Sequence, residues 1–483
     1  MNAQLFALKP VSGAEGSGGQ LVRALSLPAL TAFGIGSIIG TGIFVLTGTA
    51  AANHAGPALV VSFLIAGVAA AFAALCYAEL ASMIPVAGSA YSYAYSTLGE
   101  IVAWFVGWNL ILEYTFSVGT VAVGWSAYVA SVLAQFGIHL PDALMQAPVD
   151  RGPGDSGLIA TGALLNLPAV LITAGVAVVC YIGIRQSSAL NSALVVLKIA
   201  VVLAFVLLGA SFVTPANWHP FVPPNTGTWG QFGWSGVIRA TAIIFFAFIG
   251  FDTVSTCAQE ARNPRRDVSL GIIASLAICS VLYVATALVL TGMVPYTELD
   301  VAAPVALAID RHAPLKWLGL PVKLGAILGM TSVMLVMTVG QARIFMAMAA
   351  DGLLPKWFAA VHPRFRTPAR ATVVTWIGAA LLGGLLPVRI LGELVSIGTL
   401  FAFATVCVGV LVLRRLRPEL PRRFRVPAPY FTCIAGALSC VGLMASLPAD
   451  TWIRLAVWTF IGLLIYWGYG YRSSRLRVRE EGR

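Results

Sequence analysis

Charge is what this sequence most conspicuously lacks. Asp, Glu, Lys and Arg make up 10% of its 483 residues, whereas a soluble domain is about a quarter charged. Most of the chain is therefore not built to face water. The seven cysteines form no CxxC pair and all lie within or at the ends of apolar runs. That leaves them as small core residues and excludes a disulfide framework. The five histidines, His54, His139, His219, His312 and His362, are scattered, and no HExxH or GxSxG sequence is present. This excludes a membrane enzyme of those classes, and no metal site or cofactor is implied. No potassium-type filter sequence is present, which argues against a channel. The first 27 residues are rich in Gly, Ser and Ala and have no apolar core of the kind that marks a cleaved signal. A mobile cytoplasmic tail is expected there.

Hydrophobic residues make up 59% of the chain, concentrated in runs of the ~20 residues that a helix needs to cross a bilayer. Twelve such runs are expected, near 28–52, 58–83, 100–133, 160–183, 189–213, 234–258, 268–294, 321–350, 370–388, 391–415, 428–446 and 452–472. The expected fold is thus an all-α polytopic protein of the cell membrane. Orientation follows from basic residues, which stay in the cytoplasm. With both termini inside, about 21 of the 30 Lys and Arg fall on the inner side and about six on the outer. Topology and anionic membrane lipids account for the net charge of +11, and no nucleic acid partner is needed.

Two of the runs are irregular. The first contains "GIGSIIGTGIF" and the sixth "FFAFIGFDTVST". They lie five spans apart, and an odd offset means that the second unit starts from the opposite face. An inverted repeat is expected, with residues 28–213 as one five-helix unit and 234–415 as the other. Residues 428–472 then add two helices, and 473–483 form a basic cytoplasmic tail. Weakened spans in matching positions point to a transporter's binding site.

An intact membrane helix hides its peptide groups. Interrupting it frees N–H groups that favour a carboxylate and carbonyls that favour an ammonium. In "SIIGTG" the donors sit near Thr41 and Gly42, and Ile38 offers a carbonyl. Gly36 and Gly40 also fit GxxxG, a pattern that packs helices without any ligand. Gly42, Thr41 and a second broken span do not follow from packing alone. A phosphate loop is excluded, since no Lys-Ser or Lys-Thr follows the glycines.

Together with "AGPALVVSFLIAG", "CYAELASMIPVAGSAYSYAY", "GWNLILEY", "FFAFIGFDTVSTCAQEARNP" and "MAMAADGLLP", the first stretch resembles the amino acid, polyamine and organocation superfamily. The likeness is to the cationic amino acid transporter family and its bacterial members in particular, over residues 25 to 470. It implies a leucine-transporter-like fold of five plus five inverted spans and secondary transport of amino acids, with a small accessory membrane subunit left open. Ile38, Thr41 and Gly42 match the family's site for the substrate's backbone groups. Phe246, Ala247 and Ile249 match its carbonyls for the amino group, with Phe246 as an aromatic lid.

Three ionisable residues lie well inside spans, where each costs about 2.5–3.5 kcal/mol and is functional by default. Lys198 matches a lysine that occupies the sodium position of sodium-coupled relatives, which implies sodium-independent transport. Glu113 and Asp252 are candidates to carry a coupling proton. Arg239, Glu79 and Arg343 read as structural or gating charges. Met337 matches a position that is small in cationic-selective relatives, so a shortened pocket is expected. The expected activity is proton-coupled uptake of small to medium neutral L-amino acids such as alanine. A cationic amino acid transporter and an amino acid exchanger remain the alternatives.

Overall fold

Without water in hydrocarbon, a chain must pair its peptide groups within its own segments, and this one does so almost entirely as helix. The computed structural model describes residues 6–9, 25–84, 88–151, 157–183 and 188–476, without the side chains of 151, 188–191 and 259. Most of the tail expected at 1–27, part of the basic tail at 473–483, and Arg23 and Arg185 lie outside the described residues.

The principal helices are α1 (Leu27–Ile38), α2 (Leu59–Met83), α3 (Ser89–Thr97), α4 (Glu100–Gln135), α5 (Leu167–Ile182), α6 (Ser188–Gly209) and α7 (Gly233–Ile244). They continue as α8 (Ser269–Met293), α9 (Lys316–Ala350), α10 (Ala369–Leu385), α11 (Val388–Leu416), α12 (Pro429–Ala445) and α13 (Ala449–Ile465). Among the described residues, eight helical stretches are long and apolar enough to cross a membrane. Four further apolar helices, α1, α5, α10 and α12, are shorter. The molecule is an all-helical, multi-pass membrane protein.

Local chemistry explains two differences from the expected limits. The span expected from residue 160 does not start there; Ala160 ends β2 (Leu158–Ala160), antiparallel to β1 (Val149–Arg151) with Asp150 opposite Ile159. Helix α5 begins later because the Asn166 side chain accepts from the Ala169 N–H at 3.2 Å, with Pro168 in the first turn. Both features start helices. The chain leaves α5 at Gly183, whose φ of +74° suits a residue without Cβ. Helix α9 starts at Lys316, so Pro321 lies inside its second turn instead of opening it.

The long α4 is the axis of the fold and packs against α9 and α11, while α2 packs on α8. Paired charges fasten the ends. Glu79 accepts from Arg414 Nε at 2.9 Å and from the Val426 N–H at 2.7 Å, which ties the loop after α11 to α2. Arg343 donates to the Thr256 carbonyl at 3.1 Å and to Glu260 at 2.8 Å. Arg239 donates to the Ser446 carbonyl at 2.9 Å. The N-terminal segment is held at Lys9, whose ammonium bonds Asp351 at 2.7 Å. All seven cysteines are free thiols, and Cys76 and Cys433 touch at 3.5 Å.

Candidate functional site

The first interruption falls at Ile39 and Gly40. Helix α1 ends at Ile38, Ile39 turns extended with ψ of 103°, and helical structure resumes at Thr41 with a wide turn over Gly42–Leu46. The N–H groups that head a helix have no intrahelical acceptor, and no backbone carbonyl accepts from Gly40, Thr41 or Gly42. Behind them, Ile43 and Phe44 donate to the Gly40 carbonyl at 3.2 and 3.3 Å.

The second interruption follows α7. A tight turn over Phe245–Phe248 gives way to Ile249 in extended conformation and then Gly250 at φ +122°. Helix resumes at Thr253–Thr256. The two breaks press on one another. A Cβ on Gly42 would land on the Ala247 backbone, and one on Gly250 would sit 2.8 Å from the Ser37 carbonyl carbon. The Thr253 hydroxyl reaches Ser37 Oγ at 3.1 Å, which closes the contact. Glycine at these two positions is what brings peptide to peptide.

The carbonyls freed by the first break are mostly occupied. Lys198 Nζ donates to the Gly36 carbonyl at 2.5 Å and to the Ile39 carbonyl at 3.1 Å. The Tyr283 hydroxyl donates to the Ile38 carbonyl at 2.8 Å. An acceptor expected for a ligand's ammonium, Ile38, is therefore already engaged by a phenol. On the other break, the Phe246 carbonyl accepts the Ile249 N–H at 3.1 Å.

A small cavity opens at the junction. The first interrupted segment lines it with Ser37, Ile38, Gly40, Thr41 and Gly42, and the second with Phe246 and Ile249. Helix α4 contributes Ser117 and Val121, and α9 contributes Val333 and Met337. No Asp, Glu, Lys or Arg is in this lining. The lining includes Thr41 and Ser117, whose hydroxyls are both buried without a hydrogen-bond partner.

Of the residues singled out in the sequence, Ile38, Thr41, Gly42, Phe246, Ile249 and Met337 meet in this lining. Ala247 does not; it is the surface on which Gly42 packs. Lys198, Glu113 and Asp252 stand outside it. Asp252 Oδ2 accepts from the Ser89 and Tyr114 hydroxyls, each at 3.2 Å. Its other oxygen and both oxygens of Glu113 have no partner. Glu113 lies within Coulombic reach of Asp252. It also faces Thr399, whose hydroxyl is committed to the Val395 carbonyl at 3.0 Å. Ser37, Gly40, Ser117, Val121, Val333 and Tyr283 were not singled out as binding residues, and Gly40 was noted only for helix packing. Apart from Ser37 and Gly40, quoted within the glycine motif, they sit in uninterrupted helices where no irregularity marks them.

Comparison with known proteins shows the family. A family model described as amino acid permease matches residues 25–467. The methylthioribose transporter of Bacillus subtilis is 44% identical, over 98% of this chain and 99% of its own length. A branched-chain amino acid permease, BcaP, from the same organism is 46% identical, over 94% of this chain and 95% of its own. Cationic amino acid transporter 3 of Arabidopsis thaliana is 40% identical over 83% of this chain, which spans 64% of that protein.

Proposed function

The chain belongs to the amino acid permease family, and we propose that it takes up small to medium neutral L-amino acids such as alanine, with protons and without sodium. In this reading twelve spans place both termini in the cytoplasm, and spans one to five and six to ten form the inverted pair. The unpaired N–H groups at Gly40, Thr41 and Gly42, in contact with a second broken helix, carry the proposal. They are suited to the carboxylate of a zwitterion. The ammonium then turns to the second break, because Lys198 and Tyr283 engage the carbonyls of the first.

The side-chain end of the cavity is apolar, formed by Val121, Val333 and Met337. A cationic side chain would meet no acidic partner there, and an unpaired charge is strongly disfavoured in such surroundings. The name of the branched-chain permease relative fits an aliphatic substrate. Fixed in the carbonyl cage, the Lys198 ammonium does the work that a bound sodium ion would do.

Uptake of labelled alanine into proteoliposomes tests this, with a pH gradient, a sodium gradient or neither. Accumulation is expected with the pH gradient alone, and competition by other small aliphatic amino acids is expected to exceed that by arginine. Uptake that requires sodium, or that responds to arginine or methylthioribose and not to neutral amino acids, overturns the proposal. Counterflow with and without internal substrate separates symport from obligatory exchange. Met337→Ser removes a thioether from the cavity wall and is expected to raise competition by longer substrates ~4-fold for each added methylene, since a buried methylene is worth about 0.8 kcal/mol. An unchanged competition profile would remove Met337 from the pocket.

A further inference from the structure

Helix α4 carries a row of buried polar groups that begins at the cavity lining with Ser117 and continues away from it. Asn109, Glu113 and Ser117 are spaced by four residues and so share one face. Each is at most 2% exposed, and Asn109 Oδ1, both Glu113 oxygens and Ser117 Oγ all lack a hydrogen-bond partner. Neighbouring groups on the same helix behave differently. Thr115 donates to the Ile111 carbonyl, Thr120 to the Phe116 carbonyl and Ser126 to Asn166 Oδ1, each at 2.7 Å. Asn109 gives its amide N–H to the Phe105 carbonyl at 2.8 Å, which leaves its oxygen turned away.

A buried polar atom left unpaired costs ~1–3 kcal/mol. Several in one row are therefore sites for water rather than independent losses. The spacing suits this. Four residues of helix rise about 6 Å, and one water making two hydrogen bonds of ~2.8 Å spans nearly the same distance. Asp252 Oδ1 and the Tyr77 hydroxyl are also unpaired, and both residues lie within Coulombic reach of Glu113.

We propose that Asn109, Glu113 and Ser117 line a water-filled proton path from the substrate cavity towards the cytoplasmic end of α4, with Ser117 as its mouth and Asn109 as the positioning residue below the carboxylate. It rests on the reading of the cavity as a proton-coupled substrate site and adds the route that the proton takes. Entering from the cavity, a proton reaches the Ser117 hydroxyl, which passes its own proton through water to the Glu113 carboxylate. Neutral Glu113 later releases that proton to the water held by Asn109, and the carboxylate returns. The groups facing Glu113 are Asp252 on the second break, Tyr77 on α2, Tyr114 on α4 and Thr399 on α11. Asp252 in turn meets Ser89 on α3. Arg343, on α9, is committed to Thr256 and Glu260, and Lys198, on α6, to Gly36 and Ile39.

The test uses the full-length protein in proteoliposomes carrying an internal pH dye. Asn109→Leu fills the path with hydrocarbon at a residue outside the cavity lining. It is expected to leave alanine counterflow within ~2-fold of wild type while lowering proton entry per alanine, and pH-driven accumulation, ~10-fold. Asn109→Ser, which readmits water, is expected to recover coupling. Ser117→Ala is expected to lower proton entry more than alanine counterflow. Proton entry in Asn109→Leu equal to wild type overturns the path while leaving the coupling reading intact. Equal loss of counterflow and coupling in both Asn109 variants also overturns it, because the residue then only supports the fold. Wild-type protein that moves alanine without protons overturns the coupling reading itself, and the path with it.

Discussion

Lys198→Met is expected to lower alanine uptake at least ~10-fold, with no recovery on adding sodium. The ammonium holds the Gly36 and Ile39 carbonyls at 2.5 and 3.1 Å, and a thioether of similar length donates to neither. Two orphaned buried acceptors cost ~2–6 kcal/mol together. A cheaper outcome is available to the chain. Gly36 and Gly40 stand four residues apart, the spacing of a helical hydrogen bond, so the Gly36 carbonyl is free to take the Gly40 N–H once the lysine is gone. Closing the gap in this way removes a donor from the carboxylate site. Uptake and thermal stabilisation by alanine are expected to fall together. Wild-type binding by Lys198→Met would show that the cage does not hold the break open.

Glu113→Gln is expected to abolish pH-driven accumulation, with uptake under a gradient falling ~10-fold to its level without one. The amide has the shape of a protonated carboxyl and cannot release a proton. Asp252 has two hydroxyl donors, Ser89 and Tyr114, whereas Glu113 has none. Hydrogen bonds of this kind support a charged carboxylate, so the proton shared by the pair is expected to rest on Glu113. Internal pH recorded during alanine uptake checks the assignment. If Glu113→Gln still accumulates alanine against its gradient and Asp252→Asn does not, the roles of the two carboxylates are exchanged.

Much of this arrangement was legible in the sequence wherever a residue type conflicts with its surroundings. Glycines in a run that should be continuous marked both breaks, and a lysine in the middle of an apolar run had to find acceptors. Met337 became informative only through resemblance, since methionine is ordinary packing in any span. Ser117 and Val121 left no signal of their own. They are common residues in an unbroken helix, and only the register of α4 against the breaks brings them to the cavity. Tyr283 was hidden in the same way, because its distinction lies in meeting Ile38 rather than in its place along α8. The start of α5 was misplaced because residues 160–165, ATGALL, are apolar enough for a span, and the signals that govern the helix start, Asn166 and Pro168, lie just beyond them.

The central claim is that peptide groups at two breaks recognise both charges of an amino acid. Thermal unfolding of the purified protein with L-alanine, alaninamide or propionate at equal concentrations bears on it most directly, since a ligand raises the melting temperature only if it prefers the folded state. Alanine is expected to raise it, while alaninamide, lacking the carboxylate, and propionate, lacking the ammonium, leave it unchanged. Stabilisation by either analogue as great as that by alanine would contradict the account.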